Sequence, residues 1–66
     1  MTFSEHLLHL REKRGLKQTE VAAAIGVTER GYRNYERGVR EPVLSTLIAL
    51  ADFYDLSLDE LVCRER

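Results

Sequence analysis

The chain holds one cysteine, Cys63, and one proline, Pro42, in 66 residues. A lone thiol forms no internal disulfide and brings no companion ligands for a metal, so Cys63 is taken as a bystander. Long apolar runs are missing too. The longest, residues 21–25 and 47–51, stop at five residues, far short of the ~18 to 20 that cross a bilayer. No membrane span is expected. Glu5, His6 and Arg11 fall where a secretory signal needs unbroken apolar sequence, so the expected location is cytoplasmic. A chain this small buries only about 60% of its unfolded surface. It is expected to form one domain over residues 1–66, with no interdomain cleft for a large substrate.

Charge of one sign is not in excess: 10 Lys plus Arg oppose 11 Asp plus Glu, for a net charge of -1. The distribution carries more information. Residues 1–41 hold 8 basic and 6 acidic side chains, and residues 42–66 hold 2 and 5. Such polarity fits a molecule that turns one face to a polyanion.

Gly15, Gly26, Gly31, Gly38 and Pro42 punctuate the chain. Thr2 to Glu5 has capping-box form and opens a first helix, with Phe3, Leu7, Leu10 and Arg14 on one face, ending at Gly15. Val21, Ala22 and Ile25 give a short second helix from Gln18, closed by Gly26. Thr28 caps a third that runs to Arg37. After Pro42 the residues Leu44, Leu47, Ile48 and Ala51 repeat at helical spacing, which predicts a fourth helix with Leu47 and Ile48 in the core. Ser57 and Glu60 form a second capping-box pattern for a short fifth helix. No alternating β-branched run supports a strand. The fold class is all-α with five helices.

The third helix carries the chemistry. At about 100° per residue, Tyr32, Tyr35 and Glu36 fall on one side, and Arg30, Arg33, Asn34 and Arg37 on the other. Arg pairs bidentately with guanine and Asn with adenine in a major groove, and either also holds phosphate. Ala22, Ala23 and Ala24 in the preceding helix permit a close helix crossing around the turn at Gly26, as in a helix-turn-helix over residues 18–37.

From Leu7 to Leu61 the sequence resembles the lambda-repressor and Cro-like (XRE) family of bacterial and phage transcription regulators. The resemblance rests on LKQTEVAAAIGVTERGYRNYERGVREP and LIALADFYDLSLDEL, with Gln18, Ala22, Gly26, Val27, Glu36, Gly38, Pro42, Leu47, Ala51, Leu56 and Leu61 at the family's spacing. It implies a sequence-specific DNA-binding regulator, most simply a homodimeric repressor on a pseudo-palindromic operator, with double-stranded DNA as partner and no cofactor or small-molecule ligand. By the same resemblance Gln18, Thr28, Glu29, Arg30, Arg33 and Asn34 are expected to face the operator and Arg37 and Arg40 its phosphates. Gln18, Thr28, Arg37 and Arg40, joined by the cation of Lys17, are then expected at phosphates, and Glu29, Arg30, Arg33 and Asn34 at base edges. Arg11 is expected to pair with Glu36. Lys17 and Val43 stand where the family usually has Ser or Thr, so two helix caps are missing, each typically worth about 1 kcal/mol. Gly31 lowers helix propensity by roughly 1 kcal/mol relative to Ala while letting backbone approach DNA. Glu29 is repelled by phosphates unless it accepts from a cytosine amino group.

Leu58, Leu61 and Val62 either finish the monomer core or form a dimer seam. His6 and His9 sit three apart, but no third ligand is placed, so no metal site is expected. Nucleophile, base and oxyanion donors do not converge, so no enzyme is expected. The competing class is a helix-turn-helix used as a protein-interaction module, such as an antitoxin-like or anti-repressor partner.

Overall fold

A hydroxyl three residues ahead of a carboxylate starts both the first and the last helix. In the computed structural model, which describes residues 2–62, the order is α1 (Phe3–Lys13), α2 (Gln18–Ile25), α3 (Glu29–Glu36), α4 (Leu44–Tyr54) and α5 (Leu58–Leu61). At α1 the Thr2 Oγ1 accepts from the Glu5 amide at 3.2 Å, and Glu5 Oε1 accepts from the Thr2 amide at 3.0 Å. Ser57 and Glu60 repeat the arrangement at α5, at 3.1 and 3.0 Å. These backbone and hydroxyl hydrogen bonds hold both carboxyls below the usual range. The first turns of α2 and α4 lack a side-chain acceptor from Lys17 or Val43. At α2 half the box survives, because Glu20 Oε1 accepts from the Lys17 amide at 2.8 Å.

Helix ends follow equally local rules. Gly26 closes α2 at φ 76°, a left-handed conformation that a residue with a Cβ rarely adopts. Val27 N–H then reaches back to the Ala22 carbonyl at 3.0 Å, so the chain reverses into α3 within a few residues. Asp55, at φ 56°, ends α4 in the same way.

The core takes at least one side chain from every helix: Leu7 from α1, Val21 and Ala22 from α2, Tyr32 from α3, Leu50, Ala51 and Tyr54 from α4, and Leu61 from α5. Phe3, Leu10, Leu16, Ile25, Val27, Tyr35, Leu47, Phe53 and Leu56 pack around it. One expectation from periodicity needs correction, and one left open between two readings is narrowed. Ile48 is 45% exposed, because Leu50, Ala51 and Tyr54 define the inward face of α4 and rotate Ile48 away from it. Leu61 is fully buried, so it belongs to the monomer core and has no surface left for a dimer seam. Leu58, on the other side of the same turn, remains 39% exposed, and Val62 is half-buried. Cys63 lies outside the described residues. Among those described, no helix is long and apolar enough to cross a membrane.

One polar contact ties the helices together. Arg11 Nε donates to Glu36 Oε2 at 2.6 Å, Nη2 to Oε1 at 3.0 Å, and Nη1 to the Leu16 carbonyl at 2.9 Å. The two side chains are 15% and 4% exposed. α1, the loop before α2, and α3 therefore share one guanidinium. Burial opposes ionisation of Glu36, but the surrounding donors, Arg11 foremost, outweigh it and hold the carboxyl below the usual range. Beside this pair the Tyr32 and Tyr54 hydroxyls are buried without a hydrogen bond of full geometry, and burial pushes the Tyr32 phenol upward. Arg14, the C-cap of α1, fastens the same end of the helix to α4, donating to the Tyr54 carbonyl at 2.9 Å with its guanidinium 5.2 Å from the Tyr54 ring centroid.

Arg11→Met leaves Glu36 buried and unpaired, so it is expected to lose about 3 to 5 kcal/mol in chemical denaturation, whereas Arg11→Met combined with Glu36→Leu recovers most of that loss. Because Glu36 is ionised more readily folded than unfolded, its contribution is present above the unfolded carboxyl pKa and fades as pH falls through the depressed folded value. Denaturation followed by circular dichroism at decreasing pH is expected to show the wild type losing stability progressively below about pH 4.5, with the double variant losing less over that range. Leu61→Ala is expected to cost about 2 to 5 kcal/mol, and Ile48→Ala under about 1 kcal/mol, in the same denaturation assay.

Candidate nucleic-acid interface

The two sides of α3 differ because one is bolted to the core. Tyr32 is fully buried, and Tyr35, half-buried, meets its ring edge-on at 6.4 Å and 82°. Glu36 is held by Arg11. With that side fixed, Glu29, Arg30, Arg33 and Arg37 have to face solvent, and all four are exposed; Asn34 is half-buried at the margin. Thr28, also exposed, caps the helix by accepting from the Gly31 amide at 3.0 Å. A Cβ on Gly31 would stand 3.1 Å from that same hydroxyl oxygen, so glycine here lets the cap close tightly.

Arg30, Arg37 and Arg40 make no side-chain hydrogen bond or ion pair with the described residues, and all three are exposed. Lys17, at the start of α2, is exposed as well. The chain after α3 folds back on the helix end, where the Asn34 carbonyl accepts from the Val39 amide at 3.0 Å and the Arg40 amide at 3.4 Å. The Arg40 backbone is thereby kept against the last turn of α3.

Arg33 is arranged differently from its neighbours. Its Nη2 donates to Glu29 Oε2 at 3.0 Å and its Nε to Gln18 Oε1 at 3.4 Å. Gln18 Nε2 in turn donates to Glu36 Oε1 at 3.1 Å. A continuous polar chain thus runs from half-buried Arg11 through Glu36 and Gln18 to Arg33 and Glu29 at the surface. The four-residue spacing of Glu29 and Arg33 is a sequence signal for such a pair. The link through Gln18 has none, since its partners lie 15 and 18 residues away. The Gln18 carboxamide is therefore engaged within the protein, while the Gln18 and Thr19 amides in the first turn of α2 have no partner among the described residues.

Other features lie apart from this face. His6 is half-buried with Nε2 unpartnered, and His9 is exposed. Among the described residues no three His, Cys, Asp or Glu are placed to hold a metal ion. A shallow groove of about 310 Å³ between the start of α1 and the turn after α3, lined by Thr2, Phe3, Ser4, Tyr35, Gly38, Arg40 and Glu41, had no counterpart in the sequence pattern. Val39, Val43 and Leu44 are each about two-thirds exposed.

Comparison with known proteins bears on this geometry. A family model described as helix-turn-helix matches residues 7–61. The chain is 45% identical over 60 residues to the cryptic phage CTXphi transcriptional repressor RstR of Vibrio cholerae, covering 91% of this chain and 54% of that protein. It is 42% identical over 60 residues to the HTH-type transcriptional regulator YqaE of Bacillus subtilis, covering 91% and 52%. The chain thus spans about half the length of the curated relatives it matches. Among solved structures, a transcriptional regulator from Listeria innocua superposes with a TM-score of 0.93 at 35% identity, covering 98% of this chain and 61% of that one. The P22 c2 repressor in complex with a synthetic operator superposes at 0.91 with 25% identity, covering 98% of both. Five helices in this order, the Gly26 turn between α2 and α3, and the match over residues 7–61 together establish that the chain belongs to the lambda-repressor-like helix-turn-helix family.

Proposed function

We propose that this chain is the DNA-reading unit of a transcriptional regulator, a repressor in its simplest form. It acts in the cytoplasm as a homodimer that sets α3 of each protomer into successive major grooves, about 34 Å apart on a pseudo-palindromic operator. The observation that carries this reading is the cationic side of α3 and the turn after it: Arg30, Arg37 and Arg40 stand exposed and without a side-chain partner among the described residues, while the opposite side of the helix is locked into the core. The names of the relatives and the operator-bound P22 c2 structure support it. No cofactor and no small-molecule ligand is required.

The roles divide by position. Lys17, Arg37 and Arg40 neutralise phosphates, joined by the Thr28 hydroxyl and by the open amide of Gln18 at the positive end of α2. Arg30 and Asn34, with Glu29 and Arg33, meet base edges. The exposed apolar residues Val43, Leu44 and Ile48 favour the second reading, a helix-turn-helix that binds protein. Salt separates the two. A dimer with about six cationic phosphate contacts loses roughly 1,000-fold in affinity between 50 and 200 mM salt, whereas an apolar protein contact does not.

Binding to a randomised duplex pool at two salt concentrations, with sequencing of the retained fraction, tests the proposal. Wild type is expected to enrich two half-sites separated by one helical turn. Arg30→Ala and Asn34→Ala flatten base preference at single positions, and Arg40→Ala weakens all sequences alike. Failure of the wild type to enrich any sequence would move the protein-interaction reading to the front.

A further inference from the structure

We propose that Glu29 and Arg33 act as one joined reader that selects a single C·G base pair, with Gln18 as the positioning residue. The proposal deepens the DNA-reading role above and rests on it.

A carboxylate on the DNA-facing side of a recognition helix is repelled by the phosphates, and Glu29 stands in the first turn of α3. The ion pair removes that objection, since Glu29 Oε2 and Arg33 Nη2 are 3.0 Å apart and the unit they form is neutral. Both side chains are close to half exposed, at 45% and 47%, so an incoming duplex can reach them. Exposed pairs at this spacing add little to stability, and this one has an anchor that an ordinary surface pair lacks. Arg33 Nε points at Gln18 Oε1, whose carboxamide is fixed on Glu36, itself clamped by Arg11. The guanidinium is therefore aimed from the core outward, and the carboxylate is aimed by the guanidinium.

The hydrogen-bonding capacity that remains defines the target. A guanidinium has five N–H donors. With Nε and one Nη2 hydrogen engaged, both Nη1 hydrogens and one on Nη2 are free. Glu29 Oε1 accepts from no donor among the described residues. The joined pair thus presents an acceptor beside a set of donors. In the major groove a C·G pair presents, in order, the cytosine N4 donor and then the guanine O6 and N7 acceptors. That order is complementary to acceptor followed by donors. An A·T pair offers one donor flanked by acceptors and ends in the thymine methyl, so it satisfies fewer of the groups and sets an apolar surface against charge. A reversed G·C pair presents the same atoms in the opposite order and puts guanine acceptors against the carboxylate. The joined reader therefore distinguishes C·G from the three alternatives, which neither side chain achieves alone.

Pool selection with the wild type, Glu29→Ala, Arg33→Ala, the double variant and Gln18→Ala tests this, with circular dichroism to establish that each variant is folded. The wild type is expected to prefer C·G by tenfold or more at one position of each half-site. Glu29→Ala and Arg33→Ala are each expected to flatten that same position, and the double variant to do no further damage there. Gln18→Ala, which retains the backbone amide assigned to a phosphate, is expected to weaken the preference at that position more than the preferences elsewhere in the half-site, a result that general loosening of the fold would not give. Two single variants that flatten different positions, or a consensus with no C·G preference sensitive to either residue, would overturn the joined reader and leave the DNA-reading role intact. A wild type that enriches no sequence would remove both.

Discussion

The ion pair between Arg11 and Glu36 is the contact on which the arrangement of helices depends. One guanidinium spans α1, the Leu16 carbonyl before α2, and α3, and the same carboxylate receives Gln18 from the first turn of α2. The relation of α2 to α3, which defines a helix-turn-helix, is therefore set by a carboxylate with fixed directions as well as by apolar contact, which has none. Buried ion pairs do little for net stability, because desolvation offsets much of the attraction. Their strength is in geometry: a helix displaced by a turn would leave a charge in the core without its partner.

A domain of this size has few side chains with which to enforce that geometry. Among the described residues eight apolar side chains are buried as its core, two of them tyrosines whose hydroxyls lie beside the ion pair without good hydrogen bonds. These hydroxyls count against stability, as do the two helix starts that lack a side-chain cap. The capping boxes at Thr2 and Ser57 and the left-handed closures at Gly26 and Asp55 work in the other direction, by stopping and starting helices where packing needs them. The proposed DNA-reading role is laid over this frame on α3. Tyr32 and Glu36 hold one side, so the opposite arginines are presented by a helix that cannot roll.

Much of this was legible along the chain. Hydroxyl-to-carboxylate spacing marked the starts of α1 and α5, glycine marked the end of α2, and a helical wheel separated Tyr32 from Arg30 and Arg37, because each of these depends on residues within one or two turns. Legibility failed where a side chain's neighbour comes from another helix. Ile48 satisfies the apolar period of α4 as well as Leu47 does, yet the face that packs inward is the one carrying Leu50, Ala51 and Tyr54, which leaves Ile48 exposed. Leu61 and Leu58 look alike in sequence, and only the packing of α5 makes one core and the other surface.

The sequence by itself determined the five helices, their boundaries to within a turn, and which side of α3 carries the cations, since backbone hydrogen bonding and side-chain period are local properties. Tertiary structure decided how those cations differ from one another. Arg30, Arg33 and Arg37 are equivalent on a helical wheel, but only Arg33 lies within reach of Gln18, 15 residues earlier in the chain. That distance closes because Gly26 reverses the backbone and Glu36 draws Gln18 inward, and no period within a single helix encodes it.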